Sequence, residues 1–143
     1  VQDRGSDLVD TLRQALAGDP RLRLAMLLGS RARSRAREDS DVDIGILPVD
    51  PDLPLREELE LQARVERACG HPVDLVRLDR ADVLLRWEVA RHGILLFAAA
   101  RSDLVRFVAR ASLDHADLAP AIDRSGALFR RRLLAEGAGG GVS

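Results

Sequence analysis

Apolar positions along this chain follow two rhythms, one recurring every three and four residues and one nearly continuous. Leu8, Val9, Leu12, Ala15 and Leu16 keep the first rhythm. That stripe predicts a helix starting at Ser6-Asp7 and ending at Gly18-Asp19-Pro20. Residues 22–28 keep the second and read as a mostly buried strand. Gly29-Ser30 then turns the chain, and Arg31 to Arg37 opens with a short helix. A second strand over 41–47 is stopped by Pro48, and the Pro- and Asp-rich stretch 48–54 is a loop. A helix over 55–68, with Leu59, Ala63 and Val65 as inward positions, breaks at Cys69-Gly70-His71-Pro72. Val73 to Leu78 is a third strand. Ala81 to His92 is a helix carrying Val83, Leu84, Trp87 and Ala90, stopped by Gly93, and 94–97 is a fourth strand.

From Ser102 onward the spacing is helical. Leu104, Phe107, Val108 and Ala111 form one stripe, and Leu118, Ile122, Leu128 and Phe129 continue it. Pro120 is either a first-turn residue of a new helix or a kink in a long one. The order α-β-α-β-α-β-α-β-α-α describes an α/β (α+β) domain: a small mixed sheet of about four strands flanked by helices. Residues 1–100 form its core. Residues 101–136 form a C-terminal helical segment packed on the core or on a partner, and 137–143 a flexible tail. No internal repeat is present.

Composition narrows the function. At 143 residues, 46% hydrophobic and 31% charged, the chain is expected to fold as one soluble domain. A formal net charge of −1 argues against stable nucleic-acid binding, whose footprint is an excess of basic charge. No apolar stretch reaches membrane-spanning length, and the first residues do not form a signal peptide. The single cysteine, Cys69, excludes an intramolecular disulfide and suits a reducing, cytoplasmic setting. All 22 basic residues are Arg, and the chain has no Tyr, so it cannot modify itself on tyrosine.

The chemistry concentrates in residues 26–47. Asp41 and Asp43 alternate with Val42 and Ile44, so in an extended strand both carboxylates leave one face, about 6.5 Å apart. Acids that close repel each other unless a cation intervenes, which suits one or two Mg²⁺ ions with open positions for phosphate oxygens. Gly29-Ser30, at the exit of the preceding strand, can offer N–H groups and a hydroxyl to the same phosphates. An Asp-x-Asp triplet alone also reads as a solvated strand end. Asp74 is harder to dismiss, because a carboxylate inside Val-Asp-Leu-Val is costly to bury without a cation or donors. Three acids on neighbouring strands are what two-metal phosphoryl transfer needs.

Gly29-Ser30-x-Ala32-Arg33 followed by Ser40-Asp41-Val42-Asp43-Ile44 resembles the G-S-x-A-R-G-x(n)-S-D-x-D signature of the nucleotidyltransferase superfamily related to DNA polymerase beta. With a third acid at Asp74 and a lone small domain, the chain is similar to the minimal nucleotidyltransferase (MNT) antitoxins encoded beside HEPN-type toxins. The likeness runs from about residue 5 to 100 and departs from the signature at Ser34, where the family carries glycine. The resemblance implies a nucleotidyltransferase fold. It also implies metal-binding, catalytic roles for Asp41, Asp43 and Asp74, and nucleotide contacts from Gly29, Ser30, Arg33 and Ser40. Two Mg²⁺ ions and ATP would serve the reaction: AMP moves to a tyrosine of the partner toxin, and pyrophosphate is released.

Other features read more plainly. Arg31, Arg35 and Arg37, beside five acids within 38–50, form a self-compensating solvated loop. Arg124 and Arg130 to Arg132 fit either an acidic partner or an ordinary exposed helix face. His71 lacks the remaining ligands of a zinc site. His92 sits at a helix C-terminus, where it suits the dipole. Trp87 reads as a core residue. Two other functions compete: an antitoxin that neutralises by binding alone, and a small-molecule nucleotidyltransferase, for which 143 residues leave little room. A tRNA-tailing role would need a basic RNA-binding module.

Overall fold

The computed structural model describes residues 4–29 and 41–135, with side chains described over 7–29 and 41–118. Eight elements follow in order: α1 (Arg4–Leu16), β1 (Leu22–Leu28), β2 (Val42–Pro48), α2 (Leu55–Cys69), β3 (Val73–Arg77), α3 (Val83–His92), β4 (Ile94–Ala98) and α4 (Arg101–Ala135). The four strands form one sheet in the order β3-β2-β1-β4. β1 runs antiparallel to both β2 and β4, whereas β2 and β3 are parallel, joined by the α2 crossover.

Strand alternation divides the core. Ala25, Leu27, Val42, Ile44, Ile46 and Val73 face one side, packed on Leu12 and Leu16 of α1 and Leu61 and Val65 of α2. Leu24, Met26 and Leu28 face the other, with Val89 of α3, Phe107 of α4 and Leu78. β1 is therefore covered on both faces, which accounts for its near-continuous apolar run. Each large side chain buried this way contributes about 1.5–3 kcal/mol of transfer free energy. Because Val42, Ile44 and Ile46 take the α1/α2 side, Asp43, Gly45 and Leu47 are turned toward the side of α3 and α4. Gly45 is needed there: an added Cβ would lie 2.8 Å from a methyl of Leu78, which is fully buried against the sheet.

Polar side chains fasten the layers. The Asp19 side chain is fully buried and accepts from the Arg21 backbone N–H (2.9 Å), from Arg21 Nε and Nη2, and from Arg64 Nη2 of α2 (2.9 Å). On the other side, Trp87 of α3 stacks on His115 of α4 with centroids 4.2 Å apart, while Arg86 donates to Asp114 at 2.9 Å.

Most predicted elements are present with ends shifted by one or two residues. α1 begins at Arg4, ahead of Ser6-Asp7, and α3 begins at Val83 with Asp82 as its N-cap, accepting from the Leu85 N–H at 2.8 Å. β3 stops at Arg77 and β4 extends to Ala98. Three side-chain expectations are corrected. Leu59 is 53% exposed, because it stands about 200° around α2 from the buried Leu61. Leu84 is likewise exposed, and Val89 takes the core position instead. Trp87 is half-buried between α3 and α4 rather than in the core. The last two predicted helices are one, so Pro120 lies inside α4 and not in the first turn of a second helix. The short helix expected within 31–37, the side chains of Ile122, Leu128 and Phe129, and the tail 137–143 lie outside the described residues.

Candidate active site

Three strands bring the site together at one end of the sheet. In the antiparallel register Leu28 stands opposite Asp43, and in the parallel register Asp43 stands opposite Asp74. Directly paired residues share a sheet face, and neighbouring strands lie about 4.8 Å apart, so Asp43 and Asp74 project side by side. Asp41 precedes β2 by one residue, where the Val42 N–H already donates to Pro72 O at 2.9 Å. Gly29 follows β1 directly with φ +68°, a left-handed conformation that other residues enter at a cost. A Cβ on Gly29 would lie 3.0 Å from Asp43 Oδ2. The end of β1 thus closes onto the Asp43 carboxylate.

Charge is concentrated here. Burial pushes the Asp43 carboxyl above its ordinary value, and the neighbouring charges of Asp74 and Asp41 push it further in the same direction. Asp43 is half-buried, whereas Asp41 and Asp74 are exposed. The expectation that Asp74 would be buried is therefore corrected. β3 is an edge strand, and its residue 74 faces solvent beside Asp43, so its significance lies in that adjacency and not in a desolvation cost. The sequence could not show this, because an apolar-flanked acid reads the same on an edge strand as on a central one.

Of the residues singled out from the sequence, Gly29, Asp41, Asp43 and Asp74 are brought together, while Ser30, Arg33 and Ser40 lie outside the described residues. Among the described residues, no group of three His, Cys, Asp or Glu side chains is gathered closely enough to hold a metal ion as it stands. The donor set nonetheless has the chemistry of a hard-cation site: carboxylate oxygens only, in a cluster whose mutual repulsion a cation would relieve. One neighbour is not legible in the local sequence pattern. The C-terminal half of α3 lies next to Gly29 and lines a small cavity with it. His92 sits at the α3 C-terminus as expected, with Nε2 4.0 Å from Glu88.

Residues 10–102 match the family model described as Polymerase beta, Nucleotidyltransferase. No curated protein matches the chain. Solved structures do. One is a toxin–antitoxin crystal structure with AMP-PNP, at 26% identity and a TM-score of 0.58, covering 86% of this chain and 98% of that one. Another is the toxin–antitoxin MntA–HepT, at 26% identity and a TM-score of 0.55, covering 85% and 95%. A third is a tri-AMPylated Shewanella oneidensis HEPN toxin in complex with MNT antitoxin, at 25% identity and a TM-score of 0.52, covering 85% and 94%.

Proposed function

The chain belongs to the polymerase beta nucleotidyltransferase family, and we propose that it is an MNT antitoxin that transfers AMP from ATP to a hydroxyl of a HEPN-type toxin, releasing pyrophosphate. The observation that carries this reading is the in-register pair Asp43 and Asp74, with Asp41 adjacent and Gly29 closed against Asp43. The similarity to chains in structures with AMP-PNP and with an AMPylated HEPN toxin supports the choice of nucleotide and of partner.

In this reading Asp41, Asp43 and Asp74 hold Mg²⁺, and Gly29 and Ser30 receive the triphosphate, with Arg33 and Ser40 as further nucleotide contacts. Bound Mg²⁺ would neutralise carboxylates and phosphates together and draw charge from the α-phosphorus. The acceptor oxygen attacks the α-phosphorus as the bond to the bridging oxygen of pyrophosphate breaks, and that oxygen leaves with the electron pair. The acceptor proton passes to Asp74, which is solvent-facing and so reachable by a hydroxyl from another molecule. A tyrosine acceptor must come from a partner, since this chain has none. Among the described residues no helix is long and apolar enough to cross a membrane. The lone Cys69 is in keeping with a cytoplasmic location.

The test is incubation of the chain with labelled ATP, Mg²⁺ and a HEPN-type toxin. Label is expected on the partner and is expected to disappear with Asp41→Ala or Asp43→Ala. Neutralisation of the toxin that persists in both variants without label would replace this reading with binding alone.

A further inference from the structure

The edge strand that carries Asp74 is fastened along its open side by a helix. β3 pairs only with β2. In the parallel register the Val42 N–H donates to Pro72 O at 2.9 Å. That bond turns the Asp74 N–H toward β2 and leaves the N–H and C=O of Val73 pointing away from it. A fifth strand would bond these two groups; here α2 does. Gln62 Nε2 donates to Val73 O at 2.6 Å, and the Val73 N–H donates to Glu66 Oε2 at 2.9 Å. One turn earlier, Glu58 accepts from Arg77 Nη1 at 2.6 Å. Glu58, Gln62 and Glu66 recur every four residues, so they form one polar stripe of α2 beside β3. Its last two members meet at the residue before Asp74.

Resting on the nucleotidyltransferase reading above, in which Asp74 takes the acceptor proton, we infer that Gln62 and Glu66 are positioning residues that set the Asp74 carboxylate beside Asp43. Asp74 is exposed, and among the described residues no hydrogen bond holds its carboxylate. Its place therefore depends on the backbone that carries it. That backbone opens β3 directly after the break at Cys69-Gly70-His71-Pro72, where a strand end frays if its outer groups are left to water. The peptide linking Val73 to Asp74 is instead held on both sides, its carbonyl by Gln62 and its N–H by β2. Glu66 holds the N–H before it. α2 has other anchors: Leu61 and Val65 are buried in the core, and Arg64 donates to Ala15 O and to Asp19. Loss of either clamp is therefore felt at Asp74 before it is felt by the fold, and a reacting group misplaced by about 1 Å costs up to roughly 10²-fold in rate.

Single-turnover AMP transfer and amide exchange, measured on the same variants, test this. Gln62→Leu removes the donor at similar size and is expected to slow transfer by about tenfold or more. In an Asp74→Asn background the same substitution should change the residual rate by less than about twofold, because no carboxylate is left to position; a merely structural role would repeat its effect there. Glu66→Gln keeps an oxygen for the Val73 N–H and should stay within about twofold of wild type, whereas Glu66→Leu should slow transfer as Gln62→Leu does. Glu58→Leu, which loosens the far end of β3, is expected to lower the melting temperature and leave the rate within about twofold. Exchange in the nucleotide-free chain reads the clamp without activity: Gln62→Leu and Glu66→Leu should each speed exchange at the Asp74 amide by about tenfold and leave Leu27 of β1 unchanged. An undiminished effect in the Asp74→Asn background, no effect on wild-type transfer, a Glu66→Gln rate as low as that of Glu66→Leu, or unchanged exchange at Asp74 would overturn the inference. If the wild-type chain labels no toxin while the exchange contrast holds, the antitoxin reading falls and the fastening of Asp74 stands.

Discussion

Gly29 and Asp43 share one space: a side chain on the first would press against the carboxylate of the second, 3.0 Å from Oδ2. The positive φ at Gly29 adds to this, since an L-residue there costs about 1–2 kcal/mol. Gly29→Ala is therefore expected to lower the melting temperature by a few degrees. Because the displaced group is Asp43 itself, AMP transfer measured on the still-folded protein should fall by at least about tenfold. Thermal melts and initial rates measured together check this, and an unchanged rate would remove Gly29 from the site.

Asp43 should cost stability where it serves function. Its carboxyl is raised by burial and by Asp74 and Asp41, so the folded state holds the proton more tightly than the unfolded chain. Stability from that preference is fully present below the unfolded value of 3.8 and is lost as pH rises through the higher folded pKa. At pH 7 the ionised form is a net cost. Asp43→Asn is expected to abolish transfer and yet melt higher at pH 7 without Mg²⁺. The gain should be no more than about 1 kcal/mol after solvent screening, or roughly 2–4 °C. It should shrink as pH falls and vanish below 3.8. A lower melting temperature at pH 7 would contradict the repulsion.

The sequence made the strands and the Asp-x-Asp pair legible because period-two alternation and apolar runs are local signals. Val42, Ile44 and Ile46 could be placed on one face without knowing what covered it, and the turn of Asp43 away from them followed. What decided the rest is pairing between distant residues. Nothing within residues 73–78 tells that Asp74 stands on an edge strand level with Asp43. Likewise the apolar positions of α2 and α3 did not separate Leu59 from Leu61 or Leu84 from Val89. Those helices expose some leucines and bury only one stripe, so the inward face is set by where the sheet lies. The proximity of α3 to Gly29 is of the same kind, produced by the return of the chain through β4 to pair with β1.

Asp19 read as part of a helix stop, but its buried carboxylate gathers Arg21 and Arg64 at the opposite end of β1 from Gly29. Burial alone would raise its pKa, but hydrogen bonds and charge from Arg21, with charge from Arg64, outweigh that and hold it below 3.8. Its stabilisation is present above 3.8 and is lost as pH falls through the lower folded pKa. Asp19→Asn is expected to cost about 2 kcal/mol at pH 7, or roughly 5 °C. Wild type and variant should converge in strong acid. Transfer by the folded variant at 25 °C should match wild type, and a selective loss of rate would show that this end of the sheet communicates with the site.

Asp74 separates binding from chemistry. It faces solvent on the edge strand, where an incoming hydroxyl can reach it, while Gly29 closes on Asp43 from the other side. A carboxylate that takes the acceptor proton matters once the acceptor oxygen is moving, not while the triphosphate sits at rest. Asp74→Asn keeps the shape but has no carboxylate to accept the proton. It is expected to lower the single-turnover rate of AMP transfer by about 10²–10⁴-fold, the usual contribution of a positioned base. AMP-PNP affinity should weaken by about tenfold or less, since Asp41 and Asp43 still face the phosphates. A comparable loss in both measurements would limit Asp74 to holding the nucleotide and its metal, and would leave the proton to another group.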